Sequence, residues 1–169
     1  MTDKISLRKL DLADMPAAAA VHRASFNERL PTLAGVHTPE EDVGFWTAVV
    51  YKDCEIWGAE EGGRLVGVIA FLKDWVDQLY VLPEAQRRGI GSRLLDIAKS
   101  TYPVLSLWSF QRNEPARRFY EKHGFFVVDE SDGAGNEDKE PDLLYKWEAR
   151  LHRLELKPSW MAAYWEFDS

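Results

Sequence analysis

Apolar residues along this chain follow two periods, and their alternation predicts the order of elements. The run Leu65-Val66-Gly67-Val68-Ile69-Ala70-Phe71 is apolar nearly throughout, as a central strand is. It follows a shorter strand at residues 55–59 across Glu61-Gly62-Gly63, which predicts a hairpin turn. Residues 77–82 make a third strand that stops at Pro83, after which Ile90, Leu94, Ile97 and Ala98 set a helical period. Residues 104–110 read as another buried strand. Asn113-Glu114-Pro115 then opens a helix through residue 122 that Gly124 stops, and residues 125–128 make a strand. The polar, glycine-bearing residues 131–139 predict a loop before a last strand at 143–147.

The first third of the chain reads differently. Residues 5–10 give a short strand, and Asp11 to Asp14 cap a helix over 15–26. Met15, Ala18, Val21, Ala24 and Ser25 share one stripe of it, which should pack on the sheet. A loop at 27–36 leads to Thr38-Pro39-Glu40-Glu41, a capping threonine with proline in the first turn and glutamate three residues on. The helix it opens carries Val43, Phe45, Trp46, Val49 and Val50. Together with the loop, it could form a substrate wall.

Composition narrows the function. At 169 residues and 46% hydrophobic content, the chain suits one domain with a core that needs neither metal nor disulfide. Cys54 is its single cysteine, which excludes an internal disulfide and a cysteine-rich zinc site, and reads as a small apolar residue near a strand. His22, His123 and His152 are scattered without metal-ligand spacing, so solvated or capping roles are expected and no metal is. The net charge of −7 argues against nucleic acid as a partner and suits a cationic substrate beside an anionic ligand. The apolar runs are too short to span a membrane and residues 1–8 hold no apolar leader, so a cytoplasmic protein is expected.

The candidate chemistry centres on Gln86-Arg87-Arg88-Gly89-Ile90-Gly91-Ser92, between a strand and a helix. Backbone N–H groups at a helix N-terminus attract an anion, the glycines allow close approach, and the arginines add charge. A phosphate or pyrophosphate is the expected ligand. The spacing fits neither a Walker loop, since no lysine follows Gly91, nor a dinucleotide fingerprint, since Leu94 stands where a third glycine belongs. An ordinary turn with a solvated basic pair is the plainer alternative.

Two motifs together carry a resemblance. Gln86 to Gly91 after Leu79-Tyr80-Val81 resembles the pyrophosphate loop of the GNAT acyltransferases. Asn113-Glu114-Pro115-Ala116-Arg117-Arg118-Phe119-Tyr120-Glu121-Lys122-His123-Gly124-Phe125 is similar to that family's later helix, in the same order and spacing. The resemblance covers residues 5–147. It implies an α/β (α+β) fold with a mixed, mostly antiparallel sheet of six to seven strands, about four flanking helices and a V-shaped splay between two central strands. The domain would span residues 1–147, with 148–169 as an extension. It also implies an N-acetyltransferase that moves an acetyl group from acetyl-CoA to a small-molecule primary amine, directly in a ternary complex. A non-catalytic acyl-CoA sensor and an enzyme acting on a protein amine are the alternatives.

Residue roles follow by the same resemblance. The pantetheine arm would pair with Leu79, Tyr80 and Val81 as an added strand, and the loop Gln86, Arg87, Arg88, Gly89, Ile90, Gly91, Ser92 would hold the pyrophosphate. Asn113 and Phe119 match cofactor contacts. Tyr120 matches the acid beside the thioester sulfur, its alternative being a packed aromatic, and the N–H of Val81 or Tyr80 would donate to the oxyanion. Asp77 is the candidate base, directly or through water, unless it is only a solvated strand end. His37 and Glu41 face the expected acceptor cleft as weaker candidates. Trp75 and Trp108 would line an apolar acceptor pocket or pack in the core, and Trp108 stands where some protein-acetylating relatives carry glutamate. The tail's Leu151, Leu154, Trp160, Met161, Tyr164, Trp165 and Phe167 should dock on the domain or on a second subunit in a homodimer.

Overall fold

The computed structural model describes residues 4–149. Seven strands form one sheet in the order β1-β2-β3-β4-β5-β7-β6: β1 (Ser6–Lys9), β2 (Glu55–Glu61), β3 (Arg64–Leu72), β4 (Trp75–Val81), β5 (Val104–Phe110), β6 (Phe126–Ser131) and β7 (Asp142–Glu148). Every pairing is antiparallel except β4 with β5. This is the mixed sheet the sequence predicts. The β2–β3 turn works because Gly62 and Gly63 both take positive φ, 58° and 77°, which matches the twist of a two-residue hairpin.

Four helical rods flank the sheet. They are α1 (Met15–Arg29), a continuous run of α2 (Pro39–Phe45), a π-helical turn (Trp46–Val50) and α3 (Tyr51–Asp53), then α4 (Ile90–Thr101) and α5 (Glu114–Lys122). The capping box at α2 forms as read: Glu41 N–H donates to Thr38 Oγ1 at 3.1 Å, and Thr38 N–H to Glu41 Oε2 at 3.4 Å. Helix α1 outruns its predicted end by three residues, to Arg29, because Pro31 stops the chain only after one more turn. Its buried stripe is Met15, Ala18, Ala19, Val21 and Ser25, whereas Ala24 is exposed.

Helices α1 and α4 lie on opposite faces. Tyr80, opposite Val68 in the β3–β4 ladder, stacks on His22 of α1 at 4.3 Å. Neighbouring Gly67 faces α4 so closely that a Cβ there would meet Ile90 at 3.0 Å and Leu94 at 3.1 Å. The sheet and helices share one core, with Trp46, Phe71, Leu94, Leu95 and Tyr145 fully buried. Cys54 is half-buried at the start of β2, where burial pushes its thiol up to about 12 and leaves it an unreactive apolar filler. Strand β7 ends at Glu148, and the expectations for the tail and for His152 lie outside the described residues.

Candidate active site

Strands β4 and β5 meet in register at one position, Trp75 opposite Ser106, with the Ser106 N–H donating to Asp74 O at 2.9 Å. Beyond that point they separate into a cleft of about 1340 Å³, walled by α1, the 82–92 loop, α5 and the β6–β7 loop. Pairing on the other side of β4 fixes which backbone groups face the gap. Leu82 N–H donates to Val66 O at 2.8 Å, so by antiparallel alternation Tyr80, opposite Val68, also bonds to β3. The N–H groups of Leu79 and Val81 therefore point into the cleft, and Val81, not Tyr80, presents a free donor.

The 82–92 loop is shaped by backbone geometry. Arg87 and Gly89 take positive φ, 64° and 78°, and Gly89 is the N-cap of α4. No atom lies within 4 Å of where a Gly89 side chain would start, so its face is open. At Gly91 a Cβ would meet the Phe119 ring at 3.3 Å. Gln86 holds the loop to the strand: its Nε2 donates to Val81 O at 3.0 Å and its Oε1 accepts from Arg29. Arg87, Gly89, Ile90, Gly91 and Ser92 line the cleft. The Arg88 side chain turns outward to a bidentate pair with Glu61, at 2.6 and 2.9 Å, and tethers the loop to β2.

Helix α5 supplies the opposite wall. Asn113 caps it by accepting from Ala116 N–H at 3.3 Å, so this side chain is committed to the helix although it lines the cleft. Phe119 packs between Gly91 and His123, whose ring lies 4.3 Å away. His123 Nδ1 sits 2.7 Å from Phe119 O, and because a carbonyl only accepts, Nδ1 carries the proton. In the neutral ring its Nε2 then accepts from Ser92 Oγ at 2.8 Å. This joins the end of α5 to the start of α4 across the cleft. Two more cations, Arg118 and Lys122, line the same wall. The sequence reading missed them; their signal was the i, i+4 spacing that puts both on one helical face.

Tyr120 is the buried member of α5, 9% exposed, against Phe125 at 5.5 Å and Tyr145 at 6.2 Å. It lines the cleft, and its hydroxyl makes no hydrogen bond to another described residue. Burial pushes its pKa up, so the phenol keeps its proton at neutral pH. Asp77 is exposed on the cleft wall and accepts from Gln78 Nε2 at 3.1 Å. It is the extra residue of a β-bulge, since Phe71 pairs with Val76 and Ala70 with Gln78.

Of the expected acceptor residues, Trp108 lines the cleft with 45% of its surface exposed. The other three stand outside the lining. Trp75 is held at the closed end of the splay by its register with Ser106. His37 and Glu41 bind each other at 3.1 Å at the start of α2, where His37 also meets Glu137 at 3.1 Å. Residues assigned no role from the sequence, Asn136 and Asp138 of the β6–β7 loop and Asp142 at the start of β7, line the cleft instead. His22 corrects the expectation of a solvated or capping histidine. Its Nδ1 accepts from the fully buried Trp46 Nε1 at 3.0 Å, and burial lowers its pKa to about 4.

Among the described residues no three histidine, cysteine or acidic side chains group to hold a metal ion, and no helix is long and apolar enough to cross a membrane. Comparison with known proteins agrees with the geometry. The acetyltransferase (GNAT) domain profile matches residues 52–127. The probable N-acetyltransferase Rv2775 of Mycobacterium tuberculosis is 40% identical over 143 residues, 73% of this chain and 80% of that protein. The peptidyl-lysine N-acetyltransferase YiaC of Escherichia coli is 38% identical over 74 residues, 43% of this chain but only about half, 51%, of its own length. Two solved structures share the fold. Apo YjaB from Escherichia coli has a TM-score of 0.71 at 23% identity, covering 85% of this chain and 97% of YjaB. The PaiA N-acetyltransferase of Thermoplasma acidophilum, solved with coenzyme A, has a TM-score of 0.62 at 24% identity, covering 86% and 99%. With the splayed sheet, the loop and the helix that the two motifs specify, the chain belongs to the GNAT family of acetyltransferases.

Proposed function

We propose that this protein is an N-acetyltransferase that passes an acetyl group from acetyl-CoA to a small-molecule primary amine, both bound in the cleft at once. The observation that carries the reading is the free inner edge of β4, ending in an open loop at the N-terminus of α4 with cations on the facing helix. That edge fits an amide-bearing arm, with Leu79 and Val81 pairing to it as they would to a strand. The N–H groups of the loop from Gly89 to Ser92 then take the pyrophosphate, with Arg87, Arg118 and Lys122 supplying charge. Acetyl-CoA supplies an activated thioester whose sulfur leaves as coenzyme A thiol.

The chain's own residues do the rest. Val81 N–H meets the charge that develops on the carbonyl oxygen. Tyr120 holds its proton until the sulfur departs and gives it up there. Asp77, aimed into the cleft by its bulge, draws a proton from the amine through water. Two protons leave the nitrogen: one restores Tyr120 through solvent and one is released. Trp108 gives the acceptor an apolar wall. YiaC acts on peptidyl-lysine by its name, and that acceptor stands as the competing outcome.

The test is calorimetric titration with acetyl-CoA beside thiol release across a panel of alkylamines, arylamines, amino acids and lysine peptides. Saturable binding that Gly89→Asp abolishes, with amine-dependent thiol release, supports the reading. Binding without release over the whole panel would make the protein an acyl-CoA sensor. No binding at all would sink it.

A further inference from the structure

Asp138 lines the cleft from the loop between β6 and β7. The loop is built to hold it. Gly133 turns with φ of 83°, and a Cβ there would sit 2.3 Å from the Glu140 carbonyl carbon. Asn136 Nδ2 donates to Glu140 O at 2.7 Å and to Asp142 Oδ2 at 3.2 Å, and Lys139 Nζ donates to Ala134 O at 2.8 Å. The neighbouring carboxylates are all committed: Asp142 to Ser131 and Asn136, Glu140 to Arg112, Glu137 to His37. Asp138 is half-buried, and no described residue gives its carboxylate a hydrogen bond or an ion pair.

The nearest cations do not serve it. Arg23 is taken by Asp42 through two bonds of 2.7 and 2.6 Å, and His37 lies between Glu41 and Glu137. Burial, with Glu137 and Glu140 beside it, raises the Asp138 pKa against the pull of His37 and Arg23, the mark of a carboxylate short of positive charge. A half-desolvated carboxylate facing a cavity is best satisfied by a cation from outside.

Its position decides which cation. Asp138 reaches the cleft from the β6–β7 loop, whereas Tyr120 reaches it from α5, and no hydrogen bond or ion pair joins the two among the described residues. An attacking amine must be neutral, and a carboxylate gripping the same nitrogen would keep it protonated. Asp138 is productive only on a different charge of the acceptor. We propose, building on the acetyltransferase reading, that Asp138 anchors a second ammonium and that the acceptor is a dicationic alkylamine.

The experiment compares 1,5-diaminopentane with 1-aminopentane as acceptors for the wild type, Asp138→Asn and Asp138→Glu, with acetyl-CoA affinity measured on each by calorimetry. The wild type is expected to show a KM at least about tenfold lower for the diamine, the effect of one hydrogen-bonded charge. Asp138→Asn should raise the diamine KM to the monoamine value with kcat and acetyl-CoA affinity kept, and Asp138→Glu should restore part of the preference. Equal KM values in the wild type, a preference that survives Asp138→Asn, or no turnover of either amine by protein that binds acetyl-CoA would each overturn the proposal. Failure to bind acetyl-CoA at all would fall instead on the acetyltransferase reading.

Discussion

Tyr120 is buried and His22 half-buried in aromatic surroundings, and desolvation drives their pKa values in opposite directions because it always disfavours the charged form. For Tyr120 this preserves the proton that the proposed acid role requires. Tyr120→Phe keeps the ring contacts and removes the proton, so kcat should fall about 10²-fold while acetyl-CoA affinity stays unchanged. Steady-state kinetics with calorimetry checks both halves. For His22 burial preserves a neutral acceptor for Trp46. Its pKa is about 4 when folded against 6.5 when unfolded, so the unfolded chain takes up the proton first. The stability this gives is whole above pH 6.5, shrinks as pH falls and is gone below about 4, amounting to about 3 kcal/mol at most. Urea midpoints measured from pH 7 to 4 should show the decline, and His22→Gln should flatten it.

At the scale of the element, β4 serves two partners with alternate residues. Tyr80 and Leu82 are spent on β3, whereas Leu79 and Val81 face the splay. In hydrogen exchange the amides of Leu79 and Val81 should therefore exchange fast in the free protein and slow when acetyl-CoA is added, with Tyr80 slow in both. Equal protection of all three in the free protein would contradict the splay. The loop depends equally on how α4 seats on β3. Gly67→Ala would place a Cβ 3.0 Å from Ile90 and 3.1 Å from Leu94, so it should cost about 1–3 kcal/mol in denaturant unfolding and weaken acetyl-CoA binding. A variant as stable as the wild type would show that α4 can shift freely.

Across the whole molecule the charge is divided along one cleft. Arg87, Arg118 and Lys122 line it from the 82–92 loop and α5, and Asp77, Asp138 and Asp142 line it from β4, the β6–β7 loop and β7, within a chain of net charge −7. Such a field should draw a cationic acceptor to the acidic walls and an anionic ligand to the basic ones. Raising salt shortens the Debye length from about 30 Å at 0.01 M to about 3 Å at 1 M. The KM for a diamine should rise over that range, and the KM for an uncharged arylamine should move much less.

Much of this was legible in the chain before folding. Strand and helix periods gave all seven strands and the helices, because burial on a face imposes a repeat of two or of three to four residues. The glycines and caps at Gly62-Gly63, Thr38, Gly89, Asn113 and Gly124 were readable because their backbone demands are local. The two motifs named the cleft for the same reason, each being one loop or one helix end. Folding decided what depends on residues far apart in sequence. It turned Arg88 out to Glu61 and tied Ser92 to His123. It packed His22 between Trp46 and Tyr80, and kept His37, Glu41 and Trp75 outside the cleft. It also brought Asp138 from a stretch without any period to the cleft. Spacing along the chain determines which face a side chain takes, but only the packing of distant elements determines what that face meets.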